Sequence, residues 1–245
     1  MHSSLFPEHD RQGLERRVLL ARGLGLAGLL LAAQRQAWAI SLSDLTEGDA
    51  AGGIRAALER GVGFAVQSLG RDGGFLNNER VRITLPGHLD QAASALRMFG
   101  QGAKVDELVA AMNHAAEQAV PVGKAQLLKA VHAMTVEDAK NILTGGEGSV
   151  TRFFADKTRQ PLTEQFLPIV THATEHVGLA EKYNAVASKG VGIGLVSGRD
   201  ANIQQYVTDK TIDGVYTLIG DEEKKIRQDP VGTGSALLGK VFGAH

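Results

Sequence analysis

The sequence predicts an all-α fold, a single bundle of about nine helices. Apolar residues recur every three or four positions almost throughout the chain after Ile54, which is the spacing of one helix face. Glycine accounts for 30 of the 245 residues, and glycines end several of these apolar stripes. The strand-like alternation "RVRITLP" at residues 80–86 is short and closes on Pro86, so it predicts an extended connector rather than a sheet.

Glycines bound the first two predicted helices. The first apolar stripe consists of Ile54, Leu58, Val62, Val66 and Leu69. It ends at Gly70, a residue type that favours helix termination. The second predicted helix covers Leu89–Phe99 and stops near Gly100.

Prolines mark boundaries in the middle of the chain. A third helix over Val105–Ala119 is expected to end before Pro121, where a fourth helix begins. Ser149 is placed to cap a short helix, and Pro161 fits the first turn of the following one. Pro168 lies inside that pattern and is expected to kink or restart the helix, because proline lacks a backbone N–H.

Other helix boundaries are predicted from caps and glycines. Thr135 is followed three residues later by Asp138, which is a variant of the capping box. Toward the C-terminus, we expect a flexible loop at Gly190–Gly198 and a long helix at Thr208–Gln228. A final helix is predicted around residues 237–241.

The leading residues predict an export signal. Arg16 and Arg17 precede an uncharged stretch at residues 23–33, and Ala37 and Ala39 form the small-x-small pattern of a signal-peptidase site. A membrane-spanning helix needs about 20 apolar residues, so this stretch is too short to span a bilayer. The order of basic pair, apolar stretch and cleavage site resembles a twin-arginine signal. An uncleaved anchor or a buried helix is the alternative.

Cleavage after Ala39 defines two regions, a signal peptide at residues 1–39 and a helical domain at residues 40–245. The removed part holds five basic and three acidic residues, which leaves 21 basic and 24 acidic residues and a mature net charge of −3. A slightly negative net charge gives no indication of a nucleic-acid-binding protein, which typically carries an excess of basic residues. The absence of cysteine excludes disulfides, thiolate metal sites and cysteine nucleophiles. We expect a periplasmic protein with no membrane span in its mature form.

Seven segments in the predicted domain carry a family resemblance. They are "GGFLNN", "ITLP", "MNHAAEQAVP", "MTVEDAKNIL", "FLPIV", "YVTDKTIDGVYTLI" and "DEEKKIRQDP". In this order they resemble the bacterial domain-of-unknown-function family 4197, over roughly Ile54–Phe242. The resemblance implies a helical protein that usually carries an export signal. Because the activity of the family is not established, the resemblance implies no catalytic residues.

A short motif provides an alternative, enzymatic hypothesis. His172, Glu175 and His176 have the H-x-x-E-H form of inverted zinc peptidases. Two histidines four residues apart share a helix face, and a carboxylate beside them can act as a general base. A third ligand would come from further along the chain, with Glu222 as the candidate. Boundary histidines at the end of a helix are the plainer interpretation.

A buried ion pair is predicted on the last long helix. Glu222 falls on the apolar stripe formed by Ile212, Val215, Ile219 and Ile226. A carboxylate on that face should be paired, and Lys157 is the expected partner, with Arg152 as the alternative. This pair is interpreted as structural rather than catalytic.

Four further polar residues are given local roles. Asn77 and Asn78 are interpreted as turn residues after the Gly73–Gly74 pair. Asn113 and Glu117 lie four residues apart on one helix face, and hydrogen bonding along that helix is expected to account for both.

The sequence therefore favours a non-enzymatic binding, scaffolding or envelope-associated role in the periplasm. The partner is unknown, and it is either an envelope protein or an apolar ligand held between helices. No cofactor and no metal is expected. The alternative is a zinc-dependent hydrolase that uses His172, Glu175 and His176.

Overall fold

Six α-helices account for most of the part of the chain that the structure describes. This computed structural model describes residues 47–175, 177–178, 180–185 and 202–228, without the side chains of residues 47–50, 88 and 90–92. In chain order the helices are α1 (Glu47–Leu69), α2 (Asp90–Met98), α3 (Gly102–His132), α4 (Val136–Thr144), α5 (Ser149–Thr174) and α6 (Ile203–Gln228), with a 3₁₀ turn (Gly87–Leu89) before α2. These ranges contain no strand, which confirms the all-α prediction.

The four long helices α1, α3, α5 and α6 pack around one apolar core. Helices α5 and α6 run antiparallel, as contacts at both ends demonstrate. Gln204 Nε2 donates to Thr174 Oγ1 at 3.3 Å at one end, and Ser149 Oγ donates to Glu223 Oε1 at 3.2 Å at the other. The two helices therefore contact each other near both ends.

Helices α3 and α5 are in close contact at Gly123. A Cβ added to this glycine would lie 2.6 Å from Phe166 Cζ and 2.8 Å from Leu162 Cδ2. Phe166 and Leu162 are both fully buried. Burial of such a side chain stabilises the folded state by roughly 1.5–3 kcal/mol. Because Gly123 has no side chain, it leaves the space that Phe166 and Leu162 occupy.

Three prolines lie inside helices, so the helix boundaries predicted at Pro121 and Pro161 were wrong, and the helix does not restart at Pro168. Helix α3 continues through Pro121, and α5 continues through Pro161 and Pro168. An interior proline costs about 3 kcal/mol because a backbone hydrogen bond is lost. Tertiary packing outweighs that cost in α3, which has buried residues on both sides of Pro121. The Pro121 ring also fills the space beside Gly70, where an added Cβ would lie 2.8 Å from Pro121 Cγ.

The predicted capping box at α4 is confirmed, whereas Ser149 does not cap α5. Thr135 Oγ1 accepts from the Asp138 N–H, and the Asp138 carboxylate accepts from the Thr135 N–H, both at 3.0 Å. Gly148 occupies the N-cap position of α5 with φ of 80°. The Ser149 hydroxyl instead shares its one proton between the Ile142 carbonyl oxygen, at 2.8 Å, and Glu223 Oε1, so it ties α5 to α4 and α6.

Several sequence predictions lie outside the described residues. These are the signal peptide, the loop at Gly190–Gly198 and the helix around residues 237–241. The described residues all belong to one compact unit, Thr46–His245. Within them, no helix combines the length and the apolar character needed to cross a membrane.

Candidate functional site

A loop of 17 residues without helix or strand separates α1 from the 3₁₀ turn. This clamped loop, residues 70–86, has apolar anchors that point into the core, because Phe75 is fully buried and Ile83 is only 2% exposed. Gly73 has φ of 74°, a conformation that favours glycine. Gly74 has no room for a side chain, since an added Cβ would lie 2.5 Å from the carbonyl oxygen of Leu69. The sequence "GGFLNN" thus forms one defined turn.

Glu117 of α3 holds the first half of the clamped loop. Its Oε1 accepts from the backbone N–H groups of Phe75 at 2.9 Å and Leu76 at 3.0 Å. Its Oε2 lies 2.8 Å from Nδ1 of His114, one turn earlier on the helix. Glu117 is only 4% exposed, and burial acts to raise its pKa. The hydrogen bonds from Leu76, His114 and Phe75 favour the carboxylate more strongly and lower its pKa below the ordinary value of 4.5.

Asn113 of α3 holds the second half. Its Oδ1 accepts from the Ile83 N–H, and its Nδ2 donates to the Ile83 carbonyl, both at 2.8 Å. Nδ2 also donates to the Val109 carbonyl at 2.8 Å. The side-chain amide thereby satisfies both backbone groups of Ile83, as a neighbouring strand would in a sheet.

Helix α6 supports the other side of the clamped loop. The Tyr206 hydroxyl donates to the Thr84 carbonyl at 3.0 Å. The Arg80 guanidinium forms a two-point ion pair with Asp221, in which Nη2 lies 2.9 Å from Oδ1. Gly214 allows Phe75 to approach, because a Cβ there would lie 2.7 Å from Phe75 Cε1. Contacts from α3 and α6 therefore fix the loop from both sides.

The outer face of the clamped loop is a polar groove open to solvent. It has a volume of about 500 Å³ and is lined by Ser68, Arg71, Asp72, Gly73, Gly74, Asn77, Asn78, Glu79 and Arg80. Its charged side chains and amides can donate and accept hydrogen bonds, as the polar groups of a binding site do. The groove brings Asn77 and Asn78, which sequence reasoning treated as turn residues, to a surface of mixed charge.

The predicted hydrogen bonding along α3 accounts for only part of the contacts of Asn113 and Glu117. Both side chains reach across to the clamped loop, 30 and 41–42 residues away in sequence. The bonds from Asn113 to Val109 and between Glu117 and His114 stay within α3. Their positions on an otherwise apolar helix face were the available signal, since buried polar groups require partners.

The structure does not form the predicted pair of Glu222 and Lys157. Lys225 Nζ lies 2.6 Å from Glu222, and Lys157 Nζ lies 3.7 Å from Asp138. The alternative partner, Arg152, donates to the Gly145 carbonyl at 3.1 Å. The buried carboxylate on α6 belongs instead to the next residue.

Glu223 is the buried carboxylate of α6, with an exposed fraction of 7%. It lies four residues after Ile219 and three before Ile226, so it also fits the apolar stripe. Its Oε1 accepts from Arg227 Nε at 2.9 Å, and Arg227 Nη2 donates to the Ile142 carbonyl at 2.6 Å. Because Ser149 bonds to the same carboxylate, this network joins α4, α5 and α6.

Glu222, the predicted third zinc ligand, is not close to His172. His172 and Glu175 are exposed at the end of α5, and His176 lies outside the described residues. Glu222 precedes Glu223, which bonds to Ser149 at the opposite end of α5, so Glu222 lies roughly 30 Å from His172 at 1.5 Å per helical residue. Within the ranges described, no three His, Cys, Asp or Glu side chains are grouped to hold a metal ion.

An apolar cavity lies between α1, α4 and α6, but it is small. Its volume is about 10 Å³, and its lining includes Ile54, Leu58, Ile142 and Ile226. A cavity needs about 10–15 Å³ of such space to hold a single water molecule, so a lipid chain does not fit there.

The comparisons with known proteins identify a family but no activity. No curated protein and no solved structure matches the chain. The model of the family described as "Protein of unknown function (DUF4197)" matches residues 44–243. That range includes the clamped loop and both helices that hold it. The chain therefore belongs to the DUF4197 family.

Proposed function

We propose that this protein is exported to the periplasm and acts there as a non-enzymatic binding protein. Its recognition surface is the clamped loop, and its partner is a component of the cell envelope. The observation that supports this most directly is the anchoring of the loop by two buried polar side chains, Asn113 and Glu117.

The length and order of the clamped loop favour a binding role. Connections in compact domains have a median of about 4–6 residues, and ordered loops much longer than that are often functional. A short connection would join the same helices at a lower entropic cost. The buried side chains at 113 and 117 hold the loop in place and leave its polar face to solvent. A rigid surface binds with less loss of conformational entropy.

The two alternative functions have less support from the structure than a binding role. An apolar ligand within the bundle has less support, because the cavity between α1, α4 and α6 has room for at most about one water molecule. A zinc hydrolase has less support because Glu222 bonds to Lys225, far from His172. Export is inferred from Arg16 and Arg17 and from the cleavage pattern at Ala37 and Ala39.

Site-specific photo-crosslinking in cells tests the recognition surface. The natural chain has no cysteine, so single Asn77→Cys and Glu79→Cys variants can carry a benzophenone label after reaction in the periplasm. Gln160→Cys and Glu164→Cys place the same label on the exposed face of α5 as matched controls. We expect one discrete crosslinked species from the loop positions and none from α5. Equal crosslinking from both surfaces, or none from the loop, would contradict the proposal.

A further inference from the structure

A second cleft lies beside the clamped loop, between its extended end and α6. It has a volume of about 220 Å³, and its lining includes Arg82, Thr84, Lys210 and Thr217. Arg82, Thr84 and Lys210 are exposed to solvent, so a ligand can reach them. This cleft is on the α6 side of the loop, whereas the groove at residues 71–80 is on its outer face.

The cleft has an excess of positive charge. The lining also includes Arg80, which is paired with Asp221, and one acidic residue, Asp213, which is paired with Arg159 at 2.7 Å. Among the residues that the structure describes, Arg82 and Lys210 form no ion pair. Lys210 Nζ lies 5.7 Å from the centre of the Tyr206 ring, which places the ammonium group over an aromatic surface at the cleft. Three cationic side chains and one carboxylate therefore line the cleft, and Arg82 and Lys210 have no ion-pair partner in the described part of the chain.

A backbone donor adds to these cations. Both backbone groups of Ile83 bond to Asn113, and the Thr84 carbonyl accepts from Tyr206. Successive residues of an extended chain direct their N–H groups to opposite edges, so the Thr84 N–H faces away from Asn113. It has no hydrogen-bond partner within the described ranges. The cleft thus offers a guanidinium, an ammonium and an amide N–H.

We propose that this cleft binds a phosphate group. Three kinds of donor on two elements match an anion that presents several oxygens, and arginine recognises phosphate through paired hydrogen bonds. The inference rests on the proposed binding function and assigns a ligand class to the α6 side of the same loop. The phosphate comes either from a lipid headgroup at the membrane surface or from a small soluble phosphate.

Calorimetry and vesicle sedimentation at low ionic strength test this site. The mature protein is titrated with inorganic phosphate, and it is separately sedimented with vesicles of phosphatidylglycerol or of phosphatidylcholine. The test variant is Arg82→Ala with Lys210→Ala. The control variant is Lys124→Ala with Lys129→Ala, which removes the same charge from the exposed face of α3. Thermal unfolding of both variants checks that they are folded.

We expect the R82A/K210A variant to bind at least about tenfold more weakly, and the control to stay within about twofold, because only the first pair faces the cleft. Binding of inorganic phosphate identifies a soluble ligand, and binding only to phosphatidylglycerol vesicles identifies a headgroup. An absence of binding to every probe would overturn the inference, as would equal losses in both variants. Loop crosslinks that persist without any phosphate binding would overturn this inference alone and leave the proposed function standing.

Discussion

At the scale of single residues, the central feature is a pair of buried polar side chains that bond to a distant backbone. Asn113 is fully buried and Glu117 is 4% exposed, yet the polar atoms of both have partners. A buried backbone group that loses its partner costs about 1–3 kcal/mol, so each side chain specifies the path of the loop. Substitutions at these two positions should therefore act on the loop first.

The variant Asn113→Ala tests the hold on the second half of the loop. It leaves the N–H and the carbonyl of Ile83 without the partners shown here, and we expect a loss of about 2–4 kcal/mol in the free energy of unfolding. Urea denaturation followed by circular dichroism measures that loss. Asn141→Ala, on the exposed face of α4, is the matched control and should change the free energy by less than about 0.5 kcal/mol. Equal effects of the two substitutions would refute the assigned role.

Glu117→Gln tests the charge on the first half. The pKa of Glu117 is lowered in the folded state, so its carboxylate stabilises the fold above the ordinary pKa of 4.5. That contribution is lost as pH falls through the lowered folded-state pKa. The wild type should be more stable than the variant by about 1–3 kcal/mol near pH 7, and the difference should shrink under acid conditions.

Denaturation of both proteins between neutral pH and pH values below 4.5 measures this difference. A constant difference across the whole range would show that the charge of Glu117 has no part in holding the loop.

At the scale of elements, helices, the capping box and the extended connector could be predicted from the sequence, because each depends on neighbouring residues. The continuation of the helices through their prolines could not be predicted, because the packing around Pro121 involves Gly70, which is distant in sequence. The buried carboxylate was assigned to Glu222 instead of Glu223 because steps of three and four both continue an apolar stripe. The hydrogen bonds between α3 and the clamped loop could not be predicted either, because they join residues 30 to 42 positions apart in sequence.

The network of Glu223 and Arg227 gives a test at this scale. Arg227→Met removes the cation from a carboxylate that is 7% exposed, and we expect a loss of about 3–5 kcal/mol in unfolding free energy. Adding Glu223→Gln to the same variant should recover part of that loss, because no buried charge is then left alone. Glu222→Gln serves as the surface control and should cost less than about 1 kcal/mol. Failure of the double variant to recover any stability would contradict this description.

At the scale of the whole molecule, the proposed export determines where the binding surface operates. The predicted signal peptide contains Trp38, the single tryptophan of the chain, so cleavage after Ala39 removes it. The resulting chain carries a net charge of −3 and begins at Ile40.

Fractionation of cells tests this prediction. Protein from the periplasm should lack tryptophan fluorescence and have the mass of residues 40–245. Arg16→Lys with Arg17→Lys should leave full-length protein in the cytoplasm, whereas Arg11→Lys with Arg22→Lys should not, because the twin-arginine route reads the pair itself. A tryptophan signal from purified periplasmic protein would rule out the proposed cleavage.

Amide hydrogen exchange on the purified mature protein provides the most direct test of the clamped loop as a preformed surface. The N–H groups of Phe75, Leu76 and Ile83 should exchange as slowly as those of Met112 and Val120 in the buried centre of α3, because the carboxylate and the amide on that helix bind them. Exchange at the rate of an unstructured peptide, in a sample where α3 stays protected, would contradict the idea that this loop is held ready for a partner.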